Sequence, residues 1–334
     1  MATTTRHAID RTIELDINGS RQRIRLCAER DGRPPVLVVQ GGPGLPLLSE
    51  VRKFQRLLDL ERDFLVAYWE QRGCGDAPKR DSTSVSLPQQ VADLRIVLRW
   101  LFAQTTQRAI MLAVSIGATV ALQAAEDEGD HVKAVVAISV DSHTAAADAA
   151  AYAFIGKYGV RNARTKQRAI ALPKPPYTDL APFQQRVRLL CDLGAIEHGR
   201  TFGALFRETL VSLLRTYGMI GAIRALGNMN RVQRAMMPQL NALDLFANPP
   251  RVTVPVHYVF GQNDALNPPD LVNRLPAVIG APATVTVVPN GGHMMRQRRV
   301  GEAHCACVSG RLIQMRRLYV RMPIAHHCSP RSRD

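Results

Sequence analysis

No apolar run in the sequence approaches the roughly 18 residues that a membrane-spanning helix needs, so no membrane partner is expected. Residues 1–10 are polar and lack the apolar core of a secretory leader, which points to a cytoplasmic protein. The six cysteines, Cys27, Cys74, Cys191, Cys305, Cys307 and Cys328, form no Cys-x-x-Cys pair. Reduced thiols are therefore expected rather than a disulfide framework. No spacing of metal-ligand residues stands in the body of the chain, so no metal is expected. Aromatic residues make up 5% of the chain and seldom interleave with the basic ones. Single-stranded nucleic acids bind by stacking on such rings, so no nucleic-acid partner is expected either.

The formal net charge of +15 would otherwise suggest a polyanion partner, but it is unevenly spread. Residues 296–334 hold nine arginines against Glu302 and Asp334, which is close to half of the excess. That stretch mixes Cys305, Cys307, His326, His327 and Cys328 with arginine and has poor periodicity. An abrupt change of this kind is what a shifted reading frame in the gene would produce. The competing reading is a genuine basic or metal-binding extension.

The rest of the chain is ordered in pattern. Thr12-Ile13-Glu14-Leu15-Asp16-Ile17 alternates, and Asn18-Gly19 supplies the positive φ that a tight hairpin turn demands. Short all-apolar runs then recur at Val36–Val39, Phe64–Trp69, Ile110–Val114 and Val135–Ile138, and the strand pattern returns at Val254–Phe260 and Thr284–Val288. Helical spacing lies between them, as in Val91, Leu94, Val97, Leu98 and Leu101. Buried strands alternating with amphipathic helices mean an α/β fold with a mostly parallel sheet covered on both faces. From about 145 to 248 the rhythm is helical only, punctuated by Pro173, Pro175 and Pro176. The expected organisation is a core at 1–144 and 249–295, a helical cap at 145–248, and an atypical basic tail at 296–334.

Chemistry concentrates where strands end. Ile110–Val114 runs into Ser115, and Ile116 onward reads as a helix. A nucleophilic serine in so sharp a turn needs small residues two places either side, here Ala113 and Gly117. Helix capping is the bland alternative for Ser115. A serine nucleophile needs a base, and the base an orienting acid. Asp264 follows the strand ending at Phe260, with Asp270 as a fallback, and His293 follows Pro289-Asn290-Gly291-Gly292 after the last strand. His131, His143, His198 and His257 lack that context. The Gly41-Gly42-Pro43-Gly44 loop has neither the Gly-Lys-Ser/Thr of a phosphate loop nor the G-x-G-x-x-G of a dinucleotide site.

These residues resemble the α/β-hydrolase superfamily, and within it the proline iminopeptidase-like branch. Gln40-Gly41-Gly42-Pro43-Gly44 is similar to that branch's His-Gly-Gly-Pro-Gly, and Glu70-Gln71-Arg72-Gly73-Cys74-Gly75 to its Asp-Gln-Arg-Gly-x-Gly. The likeness spans roughly residues 10–295 and implies an eight-stranded sheet with an inserted helical cap. It implies Ser115, Asp264 and His293 as a catalytic triad, Gly42 and Ile116 as oxyanion donors, and Gln71-Arg72 as support beneath the site. No cofactor is implied. The chain departs from the branch at Gln40, Glu70 and Ala113, and its cap lacks the branch's Trp-Glu motif. Glu197 and Glu208 are the candidates for holding a substrate's amino group. The expected activity is cleavage of an ester or amide of a small molecule or short peptide through an acyl-enzyme. A strict N-terminal proline aminopeptidase and a catalytically silent binding protein of the same fold are the alternatives. Oligomeric state is not legible.

Overall fold

The computed structural model describes residues 8–294, so the readings of the tail at 296–334 fall outside the described residues. Eight strands form a single sheet: β1 (Ile9–Ile17), β2 (Ser20–Ala28), β3 (Pro35–Val39), β4 (Leu65–Glu70), β5 (Ala109–Val114), β6 (Val132–Ile138), β7 (Val256–Gly261) and β8 (Ala283–Val288). Their order is β1-β2-β4-β3-β5-β6-β7-β8. β2 runs antiparallel to both of its neighbours, and every pairing from β4 to β8 is parallel. The first hairpin turns at Asn18 (φ 51°) and Gly19 (φ 72°), the left-handed pair that matches strand twist.

The helices are α1 (Val51–Leu58), α2 (Lys79–Thr83), α3 (Leu87–Thr105), α4 (Ile116–Ala125), α5 (Thr144–Phe154), α6 (Lys166–Ile170), α7 (Leu180–Asp192), α8 (Phe202–Asn241) and α9 (Pro269–Ile279). α3 starts where Ser86 accepts the amide of Gln89, and α9 ends on Gly280 in the left-handed conformation. The central strands are buried on both faces, and β5 shows how the residues divide. Ala109, Met111 and Ala113 pack with α3, α4 and α9, while Ile110, Leu112 and Val114 pack with α1 on the other side. This is why the central parallel strands β3 to β6 read as unbroken apolar runs rather than alternating ones.

Between β6 and β7 the described chain is helical, from α5 through α8. α8 bends at Gly218 (φ 69°, ψ −177°). Polar bonds tie it to the loop after β4. Tyr217 donates its hydroxyl to Glu70, and Asn228 Nδ2 donates to the carbonyls of Gly75 and Ala77 at 2.9 Å each. Arg231 Nε donates to Ser82 Oγ at 2.9 Å. Glu70 is buried, and burial raises its carboxyl above the usual range despite the opposing pull of Tyr217 and Arg23.

One buried ion pair joins the hairpin, the β4 loop and α3. Arg72 donates Nε to Asp93 Oδ2 at 2.7 Å and Nη2 to Asp93 Oδ1 at 3.0 Å. Its Nη2 also reaches the carbonyl of Ile17 at 2.8 Å. Asp93 accepts further bonds from Asn18, Gln22 and Gln89. The support expected of Arg72 is thus directed at the hairpin rather than at the serine. Asp93→Ala leaves the guanidinium buried and uncompensated, so about 3–5 kcal/mol of stability is expected to be lost in urea unfolding. A loss below about 1 kcal/mol, the range of an exposed pair, would contradict this account.

Candidate active site

The strands β3, β5, β6, β7 and β8 end along one edge of the sheet, and that edge gathers the polar groups. Ser115 sits at the end of β5 with φ 55° and ψ −130°, a region that residues with a Cβ seldom occupy. Its neighbours explain how it is held. A side chain on Gly117 would put its Cβ 2.4 Å from the Gln40 carbonyl oxygen, and one on Gly41 would meet Ser115 Cβ at 3.0 Å. Ala113, the small residue on the other side of the turn, lies between Val39 and Ala137 of the adjacent strands. The glycine loop after β3 therefore lies directly against the serine turn.

Asp264 follows β7 by three residues and is held by three donors. Leu266 N reaches Oδ1 at 2.9 Å, and Asn267 Nδ2 and His293 Nδ1 reach Oδ2, each at 2.9 Å. His293 Nε2 lies 3.0 Å from Ser115 Oγ. With Nδ1 donating to the carboxylate, Nε2 is left free to accept the serine proton. The His293 amide donates to Ala195 O and the Met294 amide to Ile196 O, both at 2.9 Å. A Cβ on Gly292 would lie 2.6 Å from Ile196 O, so only glycine permits this clamp. Burial pulls the His293 imidazole down, but the charge and hydrogen bond of Asp264 push it up further, to a net value above its ordinary 6.5. For Asp264 burial acts upward, yet His293 and the other donors bring the carboxyl below its ordinary value.

The amides of Ile116, at the start of α4, and of Gly42 make no hydrogen bond to another described residue. Ile116 follows Ser115 directly, and Gly42 borders the same cavity as Ser115. Gln71 Nε2 donates to the Gln40 carbonyl at 3.1 Å and so steadies the loop that carries Gly42.

A cavity of about 200 Å³ opens over Ser115 and His293, bordered by Gly42, Asp141, Asp148 and Arg186. A larger chamber of about 680 Å³ adjoins it, with Leu45, Ile196 and Met294 lining both. Glu197 and Glu208 line the larger chamber, not the one over the serine. Glu197 pairs with Arg200 at 3.3 Å, while Glu208 pairs with Arg200 and with Lys53 Nζ at 3.2 Å. Of the other sequence candidates, His143 borders the cavity over Ser115 and pairs with Asp244. Asp270 is exposed and pairs with Arg274. His131 bonds Glu128 and His257 bonds Thr284.

Sequence reasoning missed Asp141. Ser115 Oγ can donate to its Oδ2 at 3.2 Å, and burial raises its carboxyl above the ordinary value. The signal was present, because Asp141 follows β6 at the same sheet edge and by the same rule that singles out Asp264 after β7. Arg186 and Asp148, a buried ion pair across α7 and α5, left no such signal. Burial lowers Arg186 to about 10. Cys27, Cys74 and Cys191 are buried free thiols, no described group of side chains could hold a metal, and no described helix is long and apolar enough to cross a membrane.

In comparison with known proteins, the model of the alpha/beta hydrolase family matches residues 36–302. A probable aminopeptidase, YbaC, of Bacillus subtilis (strain 168) is 24% identical over 278 residues, covering 80% of this chain and 86% of that protein. Among solved structures, a proline iminopeptidase-related protein of Thermus thermophilus superposes with a TM-score of 0.62 at 18% identity, covering 92% of this chain and 98% of that one. VinJ superposes with a TM-score of 0.68 at 13% identity, covering 93% and 100%. A family match over most of the chain, on an eight-stranded sheet of the order described, identifies the protein as a member of the alpha/beta hydrolase family.

Proposed function

We propose that the protein is a serine hydrolase that cleaves an ester or amide of a small substrate through an acyl-enzyme on Ser115. The observation that carries this reading is the continuous chain from Ser115 Oγ through His293, at 3.0 Å, to Asp264, at 2.9 Å. His293 Nε2 takes the hydroxyl proton as Oγ attacks the carbonyl carbon. The carbonyl oxygen becomes an oxyanion that accepts from the amides of Ile116 and Gly42. Collapse of the tetrahedral species breaks the bond to the leaving group, and His293 returns the proton to the leaving oxygen or nitrogen. Water then attacks the acyl carbon with His293 again as base, and Ser115 regains its proton as the acid departs. Asp264 fixes the imidazole tautomer and stabilises its cation. The helices α5 to α8 act as the cap that bounds the acyl pocket, and the small cavity favours a small acyl group. The aminopeptidase name of the bacterial relative adds amides of N-terminal residues to the substrates worth testing.

Ser115→Ala is expected to lower kcat by roughly 10⁴–10⁶ with an unchanged melting temperature, because triad members act as a unit. Near-normal turnover by the folded variant in an assay of aryl esters and aminoacyl arylamides would refute the assignment.

The base must be neutral to work, and Asp264 raises its proton affinity. The acid limb of kcat/KM is therefore expected to fall away as pH drops through a midpoint above 6.5, the ordinary imidazole value. Asp264→Asn should lower kcat by about 10⁴ and move that midpoint down, since the group that raises it is gone. A midpoint that stays in place in Asp264→Asn would contradict the role given to the aspartate.

A further inference from the structure

Ser115 has one hydroxyl proton and two acceptors within reach. His293 Nε2 lies 3.0 Å from Oγ and Asp141 Oδ2 lies 3.2 Å from it. When ionised, Asp141 therefore competes with His293 for the proton that must leave for attack to occur. The Asp141 backbone cannot swing away freely, because Thr119 Oγ1 donates to its carbonyl at 2.6 Å. Its carboxyl makes no other hydrogen bond or ion pair among the described residues, and it borders the cavity over the serine.

The groups facing Asp141 leave negative charge in excess. They are His293, Asp264 and Arg186, and the Arg186 guanidinium is engaged by Asp148. With His293 neutral, the aspartates at 141, 148 and 264 stand against a single arginine. Such a cavity attracts a cation and disfavours an acidic substrate.

The distances fit one position of that cation. Two covalent bonds put an α-amine about 2.5 Å from the carbonyl carbon of an aminoacyl group. In a reactive pose that carbon lies about 3–3.5 Å from the serine oxygen. An ammonium on the acyl side thus comes within bonding range of a carboxylate that itself touches Oγ. We propose that Asp141 is the specificity-determining residue of this site, receiving the free α-ammonium of an aminoacyl ester or amide and so releasing the Ser115 hydroxyl to His293. This rests on the serine-hydrolase reading above. It gives Asp141 a role that Glu197 and Glu208, each neutralised in the neighbouring chamber, do not fill.

The test compares L-alanine benzyl ester with N-acetyl-L-alanine benzyl ester, which lacks the charge. The wild type is expected to favour the free amine by about 10- to 100-fold in kcat/KM, the size of one charge-assisted hydrogen bond. Asp141→Asn should bring the ratio to about 1, while Asp141→Glu, which keeps the charge, should restore part of it. If Asp141→Asn does not fold, the ratio is read in Asp141→Ser. A wild-type ratio of 1 or below, a ratio that survives loss of the carboxylate, or cleavage of the N-acetyl ester with none of the free-amine ester overturns the proposal. Failure of the underlying reading looks different, because then neither ester is turned over or turnover persists in Ser115→Ala.

Discussion

Ser115 holds φ 55° and ψ −130°, and such backbone strain costs roughly 1–3 kcal/mol, which only a rigid surround can sustain. The surround here is the sheet itself. β5 lies between β3 and β6, so the turn at its end is pressed between the glycine loop and the strand that leads to Asp141. Gly41 and Gly117 admit that contact because neither carries a Cβ. The same turn starts α4, exposes the Ile116 amide and aims Oγ at His293. Relaxing it would misplace the hydroxyl, the Ile116 amide and the contact with Asp141 together.

The remaining site is positioned by tertiary clamps rather than by local propensity. His293 is on a loop, yet its backbone pairs with Ala195 and Ile196 from the helical region between β6 and β7. The imidazole is thus set by the segment that also walls the cavity. α8 is in turn tied to the loop after β4 through Tyr217, Asn228 and Arg231. A change in how these helices seat would therefore be felt at His293 as well as in the pocket.

Most of this was legible in the sequence because the signals are local. An apolar run ending in a small-x-Ser-x-small turn, an aspartate after a late strand and a histidine after two glycines each report on a few consecutive residues. The eight strands and the helical stretch were equally readable from periodicity. What stayed hidden depends on residues far apart in the chain. Arg72 and Asp93 are separated by 21 positions, and Asp148 and Arg186 by 38. The charge of Glu208 looked available because Lys53, 155 positions away, carries no mark of facing it, whereas Arg200 stands only three places from Glu197. Asp141 was readable in principle, since it stands after β6 as Asp264 stands after β7, but a triad asks for only one acid.

The central claim is that Ser115 is the nucleophile that His293 activates. Incubating the protein with a fluorophosphonate, then mapping the adduct by peptide mass spectrometry, addresses it without knowledge of the substrate. The account predicts a single adduct on Ser115, formed more slowly as pH falls and His293 becomes protonated. An adduct on another serine, or none under conditions where the protein is folded, would contradict it.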